Sequence, residues 1–102
     1  MSGPATFCRS LDEVRGNIDR LDAMIIGLLA ERATFVAQAA RFKATEGDVV
    51  VPARIEAIVA KVRGYAAEQD ADPDLMETIY RRMIDAFITF EGATWRRLHS
   101  SD

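Results

Sequence analysis

The amino-acid sequence predicts an all-α protein of three helices, long, short and long, whose first helix is too long for one chain to cover. Three observations lead there. Between Leu11 and Lys43, apolar residues fall at Leu11, Val14, Ile18, Leu21, Ile25 and Leu28, then at Phe35, Ala39 and Phe42. These steps of three and four make one stripe down a helix. Two later segments repeat helical spacing behind their own start signals, Pro52 and Asp72-Pro73-Asp74. Finally, a first helix of about thirty residues at ~1.5 Å each spans roughly 50 Å, whereas a compact domain of ~100 residues has a radius of gyration near ~13 Å. A second copy lying antiparallel along the stripe would cover it, so a homodimer is expected.

The elements follow in order. Residues 1–8, with Gly3 and Pro4 and no periodicity, read as a tail. The helical domain is expected over residues 9–98. Ser10 is a suitable N-cap, and Glu13 completes a capping-box pattern. The first helix is expected to reach Phe42 or Lys43, weakened locally by Gly16 and Gly27. Ala44 to Val51 reads as a connection, with Gly47 and Asp48 as breakers. Val49-Val50-Val51 is too short for a strand and has no partner strand. Pro52 opens a second helix with Ile55, Ile58, Val59 and Val62 on one side and Arg54 at the edge of that face. A break at Glu68 to Ala71 precedes the third helix, which runs from the Asp72 cap to about Leu98. Its broad apolar face holds Met76, Ile79, Tyr80, Met83, Ile84, Phe87 and Ile88, is interrupted by Glu91, and resumes at Trp95. Residues 99–102 are a polar tail.

Composition narrows the function. The chain has 102 residues, 49% of them hydrophobic and 28% charged, with a formal net charge of −3. That balance argues against a general nucleic-acid role and makes a local cluster of arginines informative. The single Cys8 excludes an intrachain disulfide framework and a cysteine-based metal site. No apolar run is read as a membrane span, and the N-terminus lacks the basic-then-apolar order of a signal peptide. A cytoplasmic protein with no membrane partner is expected.

Four cations stand out: Arg15, Arg32, Lys43 and Arg54. Arg32 occupies a position of the stripe where an apolar residue is due. Lys43 lies eleven residues on, about three helical turns, on the same face and ~16 Å along the axis. Their long side chains can converge on one small anion. Arg54 follows a short connection where the chain folds back, so it can reach the same region. Arg15 lies ~25 Å before Arg32 along the axis and can serve that site only from an antiparallel partner. Each residue also has a plainer role. Arg15 would be a surface charge beside Asp12, Glu13 or Asp19, Arg54 a solvated helix start, and Lys43 a favourable charge at a helix C-terminus. Arg32 needs a partner, because burying an unpaired guanidinium costs several kcal/mol. That partner is either an acid, with Glu91 available, or the carboxylate of a ligand. The only histidine, His99, sits in the tail; there is no glycine-rich phosphate loop and no metal-ligand cluster. What remains is a site of cations and one acid, requiring no cofactor and no metal.

The ordered set Leu11-x-x-x-Arg15-x-x-Ile18-Asp19-x-Leu21-Asp22, Leu28-Leu29-x-Glu31-Arg32, Ala40-x-Phe42-Lys43 and Pro52-Ala53-Arg54 resembles the all-helical chorismate mutases. It is also similar to the related isochorismate-pyruvate lyases, particularly at Arg41-Phe42-Lys43-Ala44 and Glu46. The resemblance covers about residues 9 to 98. It implies an intertwined homodimer with two equivalent sites for a small dicarboxylate. In each, Arg32 and the partner chain's Arg15 would grip the two carboxylates, with Arg54 alongside. It implies Ile88 as a further substrate-binding residue. Lys43 and Glu91 would be catalytic, both facing the ether oxygen, and Glu91 would have to carry a proton to donate there. The implied reaction is the cofactor-free rearrangement of chorismate to prephenate. The alternatives are lysis of isochorismate to salicylate and pyruvate, or rearrangement of an amino-substituted chorismate. A third reading is a non-catalytic helical dimer in which Arg32 and Glu91 form a structural pair. Two departures favour the lyase: where a typical mutase has an aspartate and a glutamate around the arginine matched by Arg54, this chain has Val51 and Ile55.

Overall fold

The computed structural model describes residues 7–100. Helix α1 spans Leu11–Ala40, α2 Pro52–Glu68 and α3 Pro73–Leu98, with a 3-10 turn at Glu46–Val49 between α1 and α2. Among the described residues there is no strand. Of the two expected tails, residues 1–6 and 101–102 lie outside the described part. Phe7 and Cys8 carry no regular structure, and His99 caps α3.

The helix starts obey local chemistry. The Ser10 hydroxyl accepts from the Glu13 amide at 3.1 Å, while the Glu13 carboxylate accepts from the Arg9 amide rather than from Ser10. The second half of the expected capping box is thus displaced by one residue. Asp72 accepts from the amides of Asp74 and Leu75, with Pro73 in the first turn. Helix α2 ends without a glycine. Asp70 takes the left-handed conformation (φ 55°), and the amides of Ala71 and Asp70 return to the carbonyls of Ala66 and Ala67. This is the helix-terminating double bond that glycine usually permits, made here by an aspartate that tolerates positive φ.

Helix α1 stops earlier than its apolar spacing suggests. It ends at Ala40 rather than Phe42 or Lys43. The amides of Arg41, Phe42 and Lys43 bond three residues back, to Gln38, Ala39 and Ala40, so the chain tightens into 3-10 geometry and leaves the helix. Lys43 therefore does not project from a continuous α1 face.

Helix α3 is the element on which the others pack. Helix α2 folds back antiparallel along it. Arg81 of α3 grips Glu56 of α2 with two hydrogen bonds and reaches Glu77 with its Nε, and Arg63 of α2 reaches Asp74 and Glu77. The hydrogen bonds from Arg81 lower the Glu56 and Glu77 carboxyls below their ordinary values, and the acids raise both guanidiniums. Only the second half of α1 meets α3. The small buried apolar core comprises Ala40, Val49, Val59, Val62, Ala66 and Ile84. The first half of α1 leaves the body of the molecule, whose extents are 59 × 27 × 19 Å.

By length and composition α1 is apolar enough to cross a membrane, which corrects the expectation that no run approaches a span. Its only qualifying window, residues 23–40, carries Glu31 and Arg32 near the middle. A charge at that depth would cost ~2.5–3.5 kcal/mol by translocon scales. The end of the same window packs on α3, with Ala40 fully buried.

Candidate active site

Where the second half of α1, the 3-10 turn, the start of α2 and the middle of α3 meet, they line an open cavity of about 330 Å³, at the small end of the ~300–1,000 Å³ usual for ligand sites. Its charged lining is Arg32, Lys43, Arg54 and Glu91: three cations against one carboxylate. Its apolar wall includes Val51 and Ile55 from the start of α2 and Phe87 and Ile88 from α3. The Glu91 side chain is the buried acid of the site, and Lys43 Nζ donates to its Oε2 at 2.8 Å.

Arg32 carries the sharpest signal. Its guanidinium lies over the Phe87 ring, 4.5 Å from the centroid. Among the described residues its Nη1 is a buried side-chain nitrogen with no hydrogen-bond partner. The ring face returns only ~0.5–2 kcal/mol to a cation. The expected alternative, a structural pair between Arg32 and Glu91, is not formed: Glu91 is taken by Lys43, which reaches it from the connection past the end of α1. The guanidinium borders a cavity whose charged lining is predominantly cationic, an environment that favours an anion.

The cavity thus gathers Arg32, Lys43, Arg54, Ile88 and Glu91 on one chain. Arg15 is not among its lining residues; it lies on the exposed first half of α1. In the geometry shown, Glu91 is an acceptor for Lys43 rather than a donor toward the cavity. Among the described residues no group of three or more His, Cys, Asp and Glu side chains is placed to hold a metal.

Two features of the site escape periodicity. The first is the connection, fastened to α3 by the Trp95 indole, which donates to the Lys43 carbonyl at 2.9 Å, and by an ion pair between Glu46 and Arg96. The second is the burial of Val49 beneath it. A signal for the first was present in the spacing: Trp95 follows Glu91 by four residues and shares its face.

The family model described as chorismate mutase type II matches residues 14–92. The isochorismate pyruvate lyase of Pseudomonas aeruginosa is 31% identical over 90 residues, covering 88% of this chain and 89% of that protein. The T-protein of Enterobacter agglomerans is 33% identical over 83 residues, 80% of this chain but only 22% of that longer protein.

Proposed function

The chain belongs to the chorismate mutase type II family, and on that premise we propose that it is a cytoplasmic, cofactor-free enzyme that converts isochorismate to salicylate and pyruvate. It would act as an antiparallel homodimer with two equivalent sites. The observation that carries the choice of substrate is the apolar cavity wall at Val51 and Ile55, where a typical mutase presents acids to the ring hydroxyl. Chorismate would set that hydroxyl against valine and isoleucine, and an unpaired buried hydroxyl costs ~1–3 kcal/mol. Isochorismate carries its hydroxyl on the other side of the ether-bearing carbon. The similarity to a lyase over nearly the whole length of both chains points the same way.

The chemistry asks for orientation and for stabilisation of charge. In the lyase reaction the bond from ring carbon to ether oxygen breaks, and a hydrogen moves from the neighbouring ring carbon to the enol methylene. The ring becomes aromatic; no atom is added or lost beyond the two products. Arg32 and the partner subunit's Arg15 would hold the two carboxylates, Arg54 would supplement them, and Ile88 would pack on the ring, fixing a reactive conformer. The Lys43 ammonium would meet the negative charge growing on the ether oxygen. Glu91, hydrogen-bonded to that ammonium, would aim it.

The second reading, chorismate to prephenate, uses the same cations and is favoured by the family match. Purified protein incubated with each substrate separates them. Salicylate fluorescence should appear from isochorismate, with kcat/KM at least about tenfold above that for loss of chorismate absorbance, the factor for one unpaired hydroxyl. Faster prephenate formation would reverse the order, and no turnover of either would leave a non-catalytic helical dimer.

A further inference from the structure

Lys43 is unusual among the site residues in standing outside any helix. Helix α1 ends three residues before it, and its amide makes only a long bond, 3.4 Å, to Ala40. A lysine in such a place lacks the regular hydrogen bonds of a helix and has four rotatable side-chain bonds, so holding its amine at one point is entropically costly. Yet its Nζ sits 2.8 Å from Glu91. A second hold lies one turn along α3: Trp95 Nε1 donates to the Lys43 carbonyl at 2.9 Å. The indole is itself fixed. The His99 ring stacks on it at 4.2 Å and 16°, while His99 Nδ1 lies 2.9 Å from the Trp95 carbonyl. Glu91 and Trp95 are four residues apart on one helical face, so α3 grips Lys43 at both ends, amine and carbonyl. The next residue, Arg96, fastens the following stretch through Glu46.

We propose that Trp95 is a positioning residue: its indole N–H pins the Lys43 backbone so that the ammonium is aimed into the cavity before substrate arrives. This rests on the reading of the cavity as the substrate site. Trp95 does not line the cavity. Its effect passes through Lys43 alone.

Trp95→Phe tests this, because phenylalanine keeps an aromatic ring beside His99 and removes the N–H donor. With whichever of isochorismate or chorismate the native protein turns over, the variant should lose roughly tenfold in kcat, about the worth of one hydrogen bond, with KM little changed. In a Lys43→Met background the same substitution should cost nothing. An equal loss in both backgrounds, or no loss in the native one, would overturn the proposal. A readout independent of turnover accompanies the kinetics. In nitrogen-15 spectra of the substrate-free protein, the Lys43 ammonium signal should be sharp in the native protein and lost in Trp95→Phe. Amide exchange at residues 43–46 should rise while that of α2 is unchanged. An unaltered ammonium signal would refute the pinning even if neither substrate reacts. A native protein that turns over neither substrate, with the signal lost in the variant, would instead defeat the reading of the cavity and leave the pin standing.

Discussion

Among the described residues Arg32 makes no ion pair, which suits the binding role proposed for it. Its Nη1 is buried without a hydrogen-bond partner among the described residues, and its guanidinium lies over the Phe87 ring. Desolvating a charge without a full set of partners is unfavourable, so the free protein gains little from this side chain. Arg32→Ala should leave the melting temperature unchanged or slightly higher, while kcat/KM for the preferred substrate falls by about 100-fold. That is the scale of one charge-assisted carboxylate contact, ~1.5–3 kcal/mol. Thermal scans beside steady-state kinetics check it; a variant that unfolds with its activity would return Arg32 to a structural role. Glu91 is read differently for the same physical reason. Its burial is matched by the Lys43 ammonium, so it is a paired acid, and the proposed mechanism uses it to place a cation.

At the scale of elements, the α2–α3 hairpin is braced by a chain of charges: Arg63 with Asp74 and Glu77, and Arg81 with Glu77 and Glu56. The guanidinium of Arg81 holds Glu56 and Glu77 ionised to lower pH than an unfolded chain would. A depressed carboxyl stabilises the fold above its unfolded value, ~4.3 for glutamate, and that contribution is lost as pH falls through the folded value. Arg81→Gln should therefore melt lower than the native protein at pH 7. The gap should close as the pH is taken below about 4. Melting temperatures of both proteins across pH 3 to 7 test the sign; a gap constant over that range would show that the brace acts by packing alone.

At the scale of the whole molecule, the first half of α1 has no cover. Ile18 is 50% exposed, Leu21 44% and Ile25 49%, and the radius of gyration is 17.2 Å against ~13 Å for a compact chain of this length. A continuous apolar stripe of this kind marks an association surface. The proposed antiparallel partner would cover it and carry its Arg15 toward this chain's cavity. Sedimentation equilibrium should give twice the 11.3 kDa chain mass, and the melting temperature should rise with protein concentration. A monomer would strand Arg15 and end the shared-site reading.

Much of this was legible in the sequence because its causes are local. Spacing in threes and fours, the Ser10 and Asp72 caps and the prolines at 52 and 73 determine three helices and nearly all their limits, since each acts within one or two turns. The break in the stripe at Arg32 was visible too, but the spacing put Lys43 on the α1 face, which it leaves; that Arg32, Lys43 and Arg54 line one cavity depends on packing between elements. The tertiary structure decided what depends on distant residues. It ended α1 at Ala40 and so took Lys43 off the helical face, then returned it to the site through Trp95 and Glu91, about fifty residues away along the chain. It gave Glu91 to Lys43 instead of Arg32, leaving the buried Arg32 Nη1 without a hydrogen-bond partner among the described residues. It also turned Val51 and Ile55, two departures from a family pattern, into the wall of the cavity. A helix's period reports which face is buried; only packing between elements determines which partner each buried charge finds there.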